Sequence, residues 1–150
     1  METSLYLGHP CGLKEIVYQW EQKIENELNL NLINPFYDLH PEITAKVERG
    51  ELGRYGANYI NIVEEDVGAI KKTMGGIYII EDHLKLQQPQ IGTFMEIVYA
   101  FHNRKLAYVL ALNGHQDHFW LKYHATRLFV SWNELENFLK NKFGRRLLKN

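Results

Sequence analysis

The sequence predicts an α/β fold: a single flavodoxin-like or Rossmann-like domain over 1–150, in three layers around a five-stranded parallel sheet. Two observations carry this. Five short apolar, β-rich runs recur along the chain in the manner of strands buried on both faces. Several segments between them place apolar residues every three or four positions, the period of a helix covering such a sheet. Strands and helices alternating at these lengths imply βαβ units with right-handed crossovers.

The first strand is predicted over 4–7, and the turn-rich run Gly8-His9-Pro10-Cys11-Gly12 ends it. That run matches no nucleotide-phosphate loop, and Pro10 removes an amide such a cradle would use. A helix follows over 13–28, with Leu13, Ile16, Val17, Trp20, Ile24 and Leu28 on its apolar face. Residues 29–33 supply the second strand, stopped by a turn at Asn34-Pro35-Phe36-Tyr37-Asp38. The stretch 39–58 is less regular, with Pro41, Gly50, Gly53 and Gly56 around a charged helical piece over 42–51, and reads as a lid or an oligomer contact. A helix over 59–73 carries Ile60, Val63, Val67 and Ile70 on one face. The third strand spans 77–80, and after a polar loop Gly92-Thr93 opens an apolar pattern at Phe94, Ile97, Val98 and Phe101 that fits a helix. Strands four and five are expected over 107–112 and 128–130, and the His-, Trp- and Tyr-rich segment 113–127 between them reads as a loop. The last helix covers 132–142, with Ser131 as amino cap and Glu134 at the capping-box position.

Composition narrows the function classes. Lys+Arg 17 against Asp+Glu 18 gives a net charge of -1, so no basic field favours a nucleic-acid backbone, and a small-molecule substrate fits better. The one cysteine excludes an internal disulfide and a multi-thiolate zinc site. No apolar run reaches membrane-spanning length and no signal-peptide pattern opens the chain, so a cytoplasmic protein without membrane contact is expected.

Glu96 is the sharpest chemical candidate. The opening of its helix at Gly92-Thr93 places it in about the first turn, at the carboxyl end of a parallel strand, where open α/β sheets bind ligands. A helix amino terminus stabilises negative charge, so this carboxylate is expected to stay ionised and available as a nucleophile, although acids also occupy first turns merely to complement the dipole. Asp66 lies at the edge of an apolar helix face, and Tyr6 lies in the first strand with its hydroxyl toward the rim. Glu81 and Asp82 end the third strand, near any ligand there and equally suited to capping the loop. Cys11 follows the first strand with His9 close in sequence, which does not ensure that thiol and imidazole meet. The run His115-Gln116-Asp117-His118, with His124 beyond it, fits no zinc spacing; no metal and no other cofactor is expected.

Four motifs fall in order between about 4 and 139: Leu5-Tyr6-Leu7-Gly8-His9-Pro10, Asn34-Pro35-Phe36, Glu65-Asp66-Val67-Gly68-Ala69-Ile70, and Gly92-Thr93-Phe94-Met95-Glu96-Ile97-Val98-Tyr99-Ala100. Together they resemble the nucleoside 2-deoxyribosyltransferase family, including its relatives that hydrolyse deoxynucleoside monophosphates. The first is similar to the family's Tyr-Leu-Ala-Gly-Pro-Phe, the last to its Gly-Thr-Ala-Phe-Glu-Ile-Gly-Tyr-Ala. The resemblance implies a retaining double displacement in which Glu96 attacks C1′ of the sugar, Tyr6 orients Glu96, and Asp66 contacts the base and helps protonate it. Substrate contacts are then expected from Gly8, His9, Pro10, Cys11, Asn34, Phe36, Asp82, Gln90, Gly92 and Thr93. Gln90 is a departure: six residues before the nucleophile the transferases commonly carry an aspartate and the monophosphate hydrolases a serine. The first loop also lacks the hydrolases' phosphate-gripping serine and arginine, although Lys14 and the amides around Gly12 remain, which tips the expectation toward free nucleosides. A transferase leads, with a monophosphate N-glycosidase and a non-catalytic nucleotide-binding module as the alternatives. The resemblance further implies a homo-oligomer, with 39–58 and 113–127 as candidate contacts, whose neighbouring subunit completes the site, often from near the carboxyl terminus, here the basic tail 143–150.

Overall fold

A computed structural model describes residues 2–49, 59–86 and 90–144. Five strands, β1 (Thr3–Gly8), β2 (Leu30–Ile33), β3 (Gly75–Glu81), β4 (Leu106–Leu112) and β5 (Arg127–Phe129), pair in parallel in the order β2-β1-β3-β4-β5. Helices α1 (Lys14–Glu27), α2 (Pro41–Glu48), α3 (Tyr59–Lys72), α4 (His83–Leu86), α5 (Ile91–His102), α6 (Phe119–His124) and α7 (Trp132–Phe143) accompany them, with a 3-10 turn at Cys11–Leu13 and a π turn at Pro35–Leu39. The expected α/β architecture with five parallel strands is present, each strand within two residues of its predicted limits. The strand order reverses direction at β1, so a crevice opens where the carboxyl ends of β1 and β3 part.

Strand alternation decides which residues meet which helices. Leu5, Leu7, Ile77, Ile79, Tyr108 and Leu110 face one side, with Val17, Trp20 and Ile24 of α1 and Leu135 and Leu139 of α7 packed on them. The intervening Tyr6, Tyr78, Ile80, Ala107 and Val109 face the other side, under Ile70 of α3 and Ile97 and Ala100 of α5. Odd and even residues of one strand therefore serve separate cores, and Tyr6 is turned toward the two helices that carry Asp66 and Glu96. Between α1 and α7, Glu136 accepts from Trp20 Nε1 and from Lys23 Nζ, each at 3.1 Å.

Several expectations are corrected. The segment 113–127 is not wholly loop, because its centre folds as α6, six residues long and too short to display a helical period. The polar loop after β3 contains the single turn α4, and the stop after β2 is a π-helical turn, Pro35–Leu39. Ile16 and Val63 are more than half exposed, 58% and 57%, because the apolar stripe of each helix is narrower than its count of apolar residues. The predicted helix over 42–51 is seen over Pro41–Glu48; Gly50, Gly53, Gly56 and the tail 145–150 lie outside the described residues. Among the described residues no helix is long and apolar enough to cross a membrane.

Candidate active site

The carboxyl end of β1 supplies the floor of the crevice. A Cβ on Gly8 would stand 2.7 Å from the Tyr78 ring, so only glycine lets the chain pass here. His9 follows, buried, with Nδ1 3.1 Å from the Pro10 carbonyl and Nε2 3.1 Å from Asn34 Oδ1. Asn34 is held in turn: its Oδ1 accepts from Phe36 N at 3.3 Å and its Nδ2 donates to Glu21 Oε2 at 3.1 Å. It stands behind the wall, and its effect is to fix His9 and Phe36, whose rings lie 4.9 Å apart. Burial drives the His9 pKa down and the Glu21 pKa up to about 7.

A hollow of about 220 Å³ lies above this floor. The structure gathers around it most of the residues expected from the sequence: Tyr6, Gly8, His9, Pro10 and Cys11 from the β1 end, Phe36 from the π turn, Asp66 from α3, and Gln90, Gly92, Thr93 and Glu96 from the start of α5. His40, which no motif indicated, also lines it. Asp82 does not. Its Oδ1 accepts from Leu84 N at 2.8 Å and caps α4, the structural role open to an acid at a strand end. Asp66, Gly92 and Glu96 also border an adjoining hollow of about 580 Å³, lined by the apolar Val63, Val67, Met95 and Val98.

The centre of the site is the hydrogen bond from the Tyr6 hydroxyl to Glu96 Oε2. Tyr6 is completely buried, and burial first, then the charges of Glu96 and Asp66, push its pKa far above the ordinary value, so it remains a donor. Glu96 is the sixth residue of α5, in its second turn and not its first, where the helix dipole has faded. Burial governs instead and pushes its pKa up to about 8, with the Tyr6 bond opposing and Asp66 adding to the rise. The expectation of a carboxylate kept ionised by the helix end is therefore overturned: burial favours the protonated form of Glu96. Asp66 is pushed up to about 7 by burial and by Glu65. Two carboxyls poised near neutrality beside a permanent phenol donor can supply a nucleophile and an acid.

Gln90 has an unexpected role. Its Oε1 accepts from Glu81 N at 2.8 Å and its Nε2 donates to the Glu81 carbonyl, so the amide pairs with the end of β3 as another strand would. The Glu81 carboxylate is itself occupied, by Asp82 N at 2.8 Å and by Asn113 Nδ2 at 3.0 and 3.1 Å. Gln90 thus clamps the start of α5 to the sheet.

No protein-family model matches the chain, and no curated protein matches it. Among solved structures, a 2-deoxyribosyltransferase from the psychrotolerant bacterium Bacillus psychrosaccharolyticus, described as a biocatalyst for synthesis of antiviral and antitumoral nucleosides, is similar in fold, with a TM-score of 0.70. The likeness covers 97% of this chain and 100% of that one at 19% sequence identity. The two chains share a fold across their whole matched length.

Proposed function

We propose that the protein cleaves the N-glycosidic bond of 2′-deoxynucleosides and passes the sugar to another nucleobase, or to water, through a covalent deoxyribosyl-Glu96 intermediate. The observation that carries this reading is the Tyr6–Glu96 hydrogen bond beside a second raised carboxyl, Asp66, in one hollow at the sheet's switch point. The ionised Glu96 attacks C1′, the C1′–N bond breaks with its electron pair on the base, and Asp66 delivers a proton to that base. An acceptor then attacks C1′ from the face the base left and Glu96 departs, so configuration is retained. Tyr6 holds one carboxylate oxygen and leaves the other free to attack. The two carboxyls titrate as a pair over one pH range, and a bound base that accepts a proton selects the arrangement with the proton on Asp66.

The fold likeness and the four ordered motifs support the same chemistry. Free nucleosides are favoured over monophosphates, because among the described residues the polar hollow has no Lys or Arg in its wall, and Lys14 stands over the Tyr37 ring, 5.6 Å from its centre. The reading extends to a homo-oligomer joined through α5 and α6, where Met95, Phe119, Trp120 and Tyr123 are each more than 60% exposed. Incubation with a deoxynucleoside and a second free base should yield the exchanged nucleoside on chromatography, and Glu96→Ala should lower the rate by several orders of magnitude. Neither exchange nor free base from any of the four common deoxynucleosides would sink the reading. Light scattering checks the assembly, and a monomer counts against a shared site.

A further inference from the structure

His40 is held from both sides of the chain. Its N–H donates to the Pro35 carbonyl at 3.1 Å, closing the π turn, and its carbonyl accepts from Thr44 N at 3.2 Å and Thr44 Oγ1 at 3.0 Å, opening α2. The ring is thereby set into the wall of the polar hollow with its side chain 8% exposed. Its Nε2 lies 3.8 Å from Asp66 Oδ1 and its Nδ1 lies 3.9 Å from Glu65 Oε2, both just beyond hydrogen-bond length. His40 Nδ1 and Asp66 Oδ1 are both buried without a hydrogen-bond partner. The unpaired Nδ1 faces Glu65, whereas the unpaired Asp66 Oδ1 faces His40 Nε2; a buried oxygen left unpaired is costly and uncommon, and this one has a ring nitrogen 3.8 Å away to complete it.

We propose that His40 is the proton partner of Asp66, a positioning residue that holds the Asp66 carboxyl toward the departing base and closes onto it once its proton has gone. This rests on the glycosyl-transfer reading and deepens it. As the C1′–N bond breaks, the electron pair goes to the base nitrogen and the Asp66 proton moves to that nitrogen. The new carboxylate then accepts the His40 Nε2–H bond, for which the gap need close by less than about 1 Å. On transfer the incoming base returns its proton to Asp66 as its nitrogen bonds to C1′, so no proton is gained or lost over the cycle. Among the described residues, the ionisable groups around the pair are Glu65 on the helix of Asp66, Glu96 on α5, Tyr6 on β1, and His9 and Cys11 across the hollow, while Glu42 and Lys46 of α2 are exposed. Burial lowers the His40 pKa, with Glu65 opposing, which keeps the ring neutral and its single N–H available.

The test compares two donors. A natural deoxynucleoside needs its base protonated on departure, whereas 4-nitrophenyl 2-deoxyriboside releases a stable phenolate that does not. His40→Asn should lower kcat about tenfold or more with the nucleoside and shift its pH profile, but stay within about threefold of wild type with the aryl donor. Equal losses with both donors, or an unshifted profile, would overturn the role of His40 and leave the glycosyl-transfer reading standing. A wild-type protein inert to both donors would overturn that reading and this one with it. Should His40→Asn not fold, His40→Phe, which keeps a ring and removes its N–H, takes its place in the two-donor comparison: a loss with the nucleoside alone is expected, and equal losses with both donors overturn the role.

Discussion

At the scale of single residues, Tyr6 opposes the burial that governs the ionisation of Glu96. Its hydrogen bond is the one contribution that lowers a carboxyl pKa which burial and Asp66 raise. Tyr6→Phe should therefore move Glu96 ionisation upward, and the acid limb of kcat/KM, set by the free enzyme, should shift to higher pH. An unshifted limb would mean that Glu96 is not the titrating group. Glu96 and Asp66 were legible as candidates because their motifs are local, but their proton states were not, since burial is a property of the packed interior. His40 carried no signal, because a π turn and not a periodic helix brings it to the hollow. Gln90 was legible as a departure, while its clamp on Glu81 depends on where β3 ends relative to α5.

At the scale of elements, helix starts and close strand contacts are the sensitive points. Ser131 Oγ accepts from Glu134 N at 3.2 Å, and Glu134 Oε2 reaches back to Val130 N at 3.0 Å, one residue before the cap. Ser131→Ala should cost about 1 kcal/mol in denaturant unfolding, with Glu134 retaining its own bond. Gly75→Ala should cost more, because its Cβ would lie 2.6 Å from Leu106 Cβ and 2.7 Å from the Leu106 carbonyl oxygen, forcing β3 and β4 apart. A loss on the order of 2 kcal/mol or more is expected in the same measurement. Long helices and β-rich runs were readable because their periods repeat over many residues. The turns α4 and α6 were not, since four and six residues display no period.

At the scale of the whole molecule, titration and stability are linked through the buried groups. Glu96, Asp66 and Glu21 have native pKa values of about 8, 7 and 7, above ordinary values of 4.5, 3.8 and 4.5. Their contribution is complete below about pH 4 and is lost as pH rises through the native values. His9 and His40, lowered from 6.5, act in the opposite sense only below that pH. Above pH 6.5 the carboxyls act alone, so Tm should fall between pH 6.5 and 8. Glu96→Gln should flatten the fall and raise Tm at pH 8 by a few degrees, on the scale of about 2–4 °C per kcal/mol for a chain of this size. A Tm level across that window would refute the linkage. Fold class was readable at this scale from alternation alone; the strand order was not, because neighbours in the sheet are chosen by where each crossover lands.

That order also has a consequence in time. β1 emerges first during synthesis, yet one of its two neighbours, β3, is paired through Tyr6 and Gly76, and Tyr6 meets Glu96 across 90 residues of sequence. Such distant parallel pairings form late. A chain released before α5 would lack the Tyr6–Glu96 contact. Activity, when measured, will report completed folding and not merely the presence of the first strands.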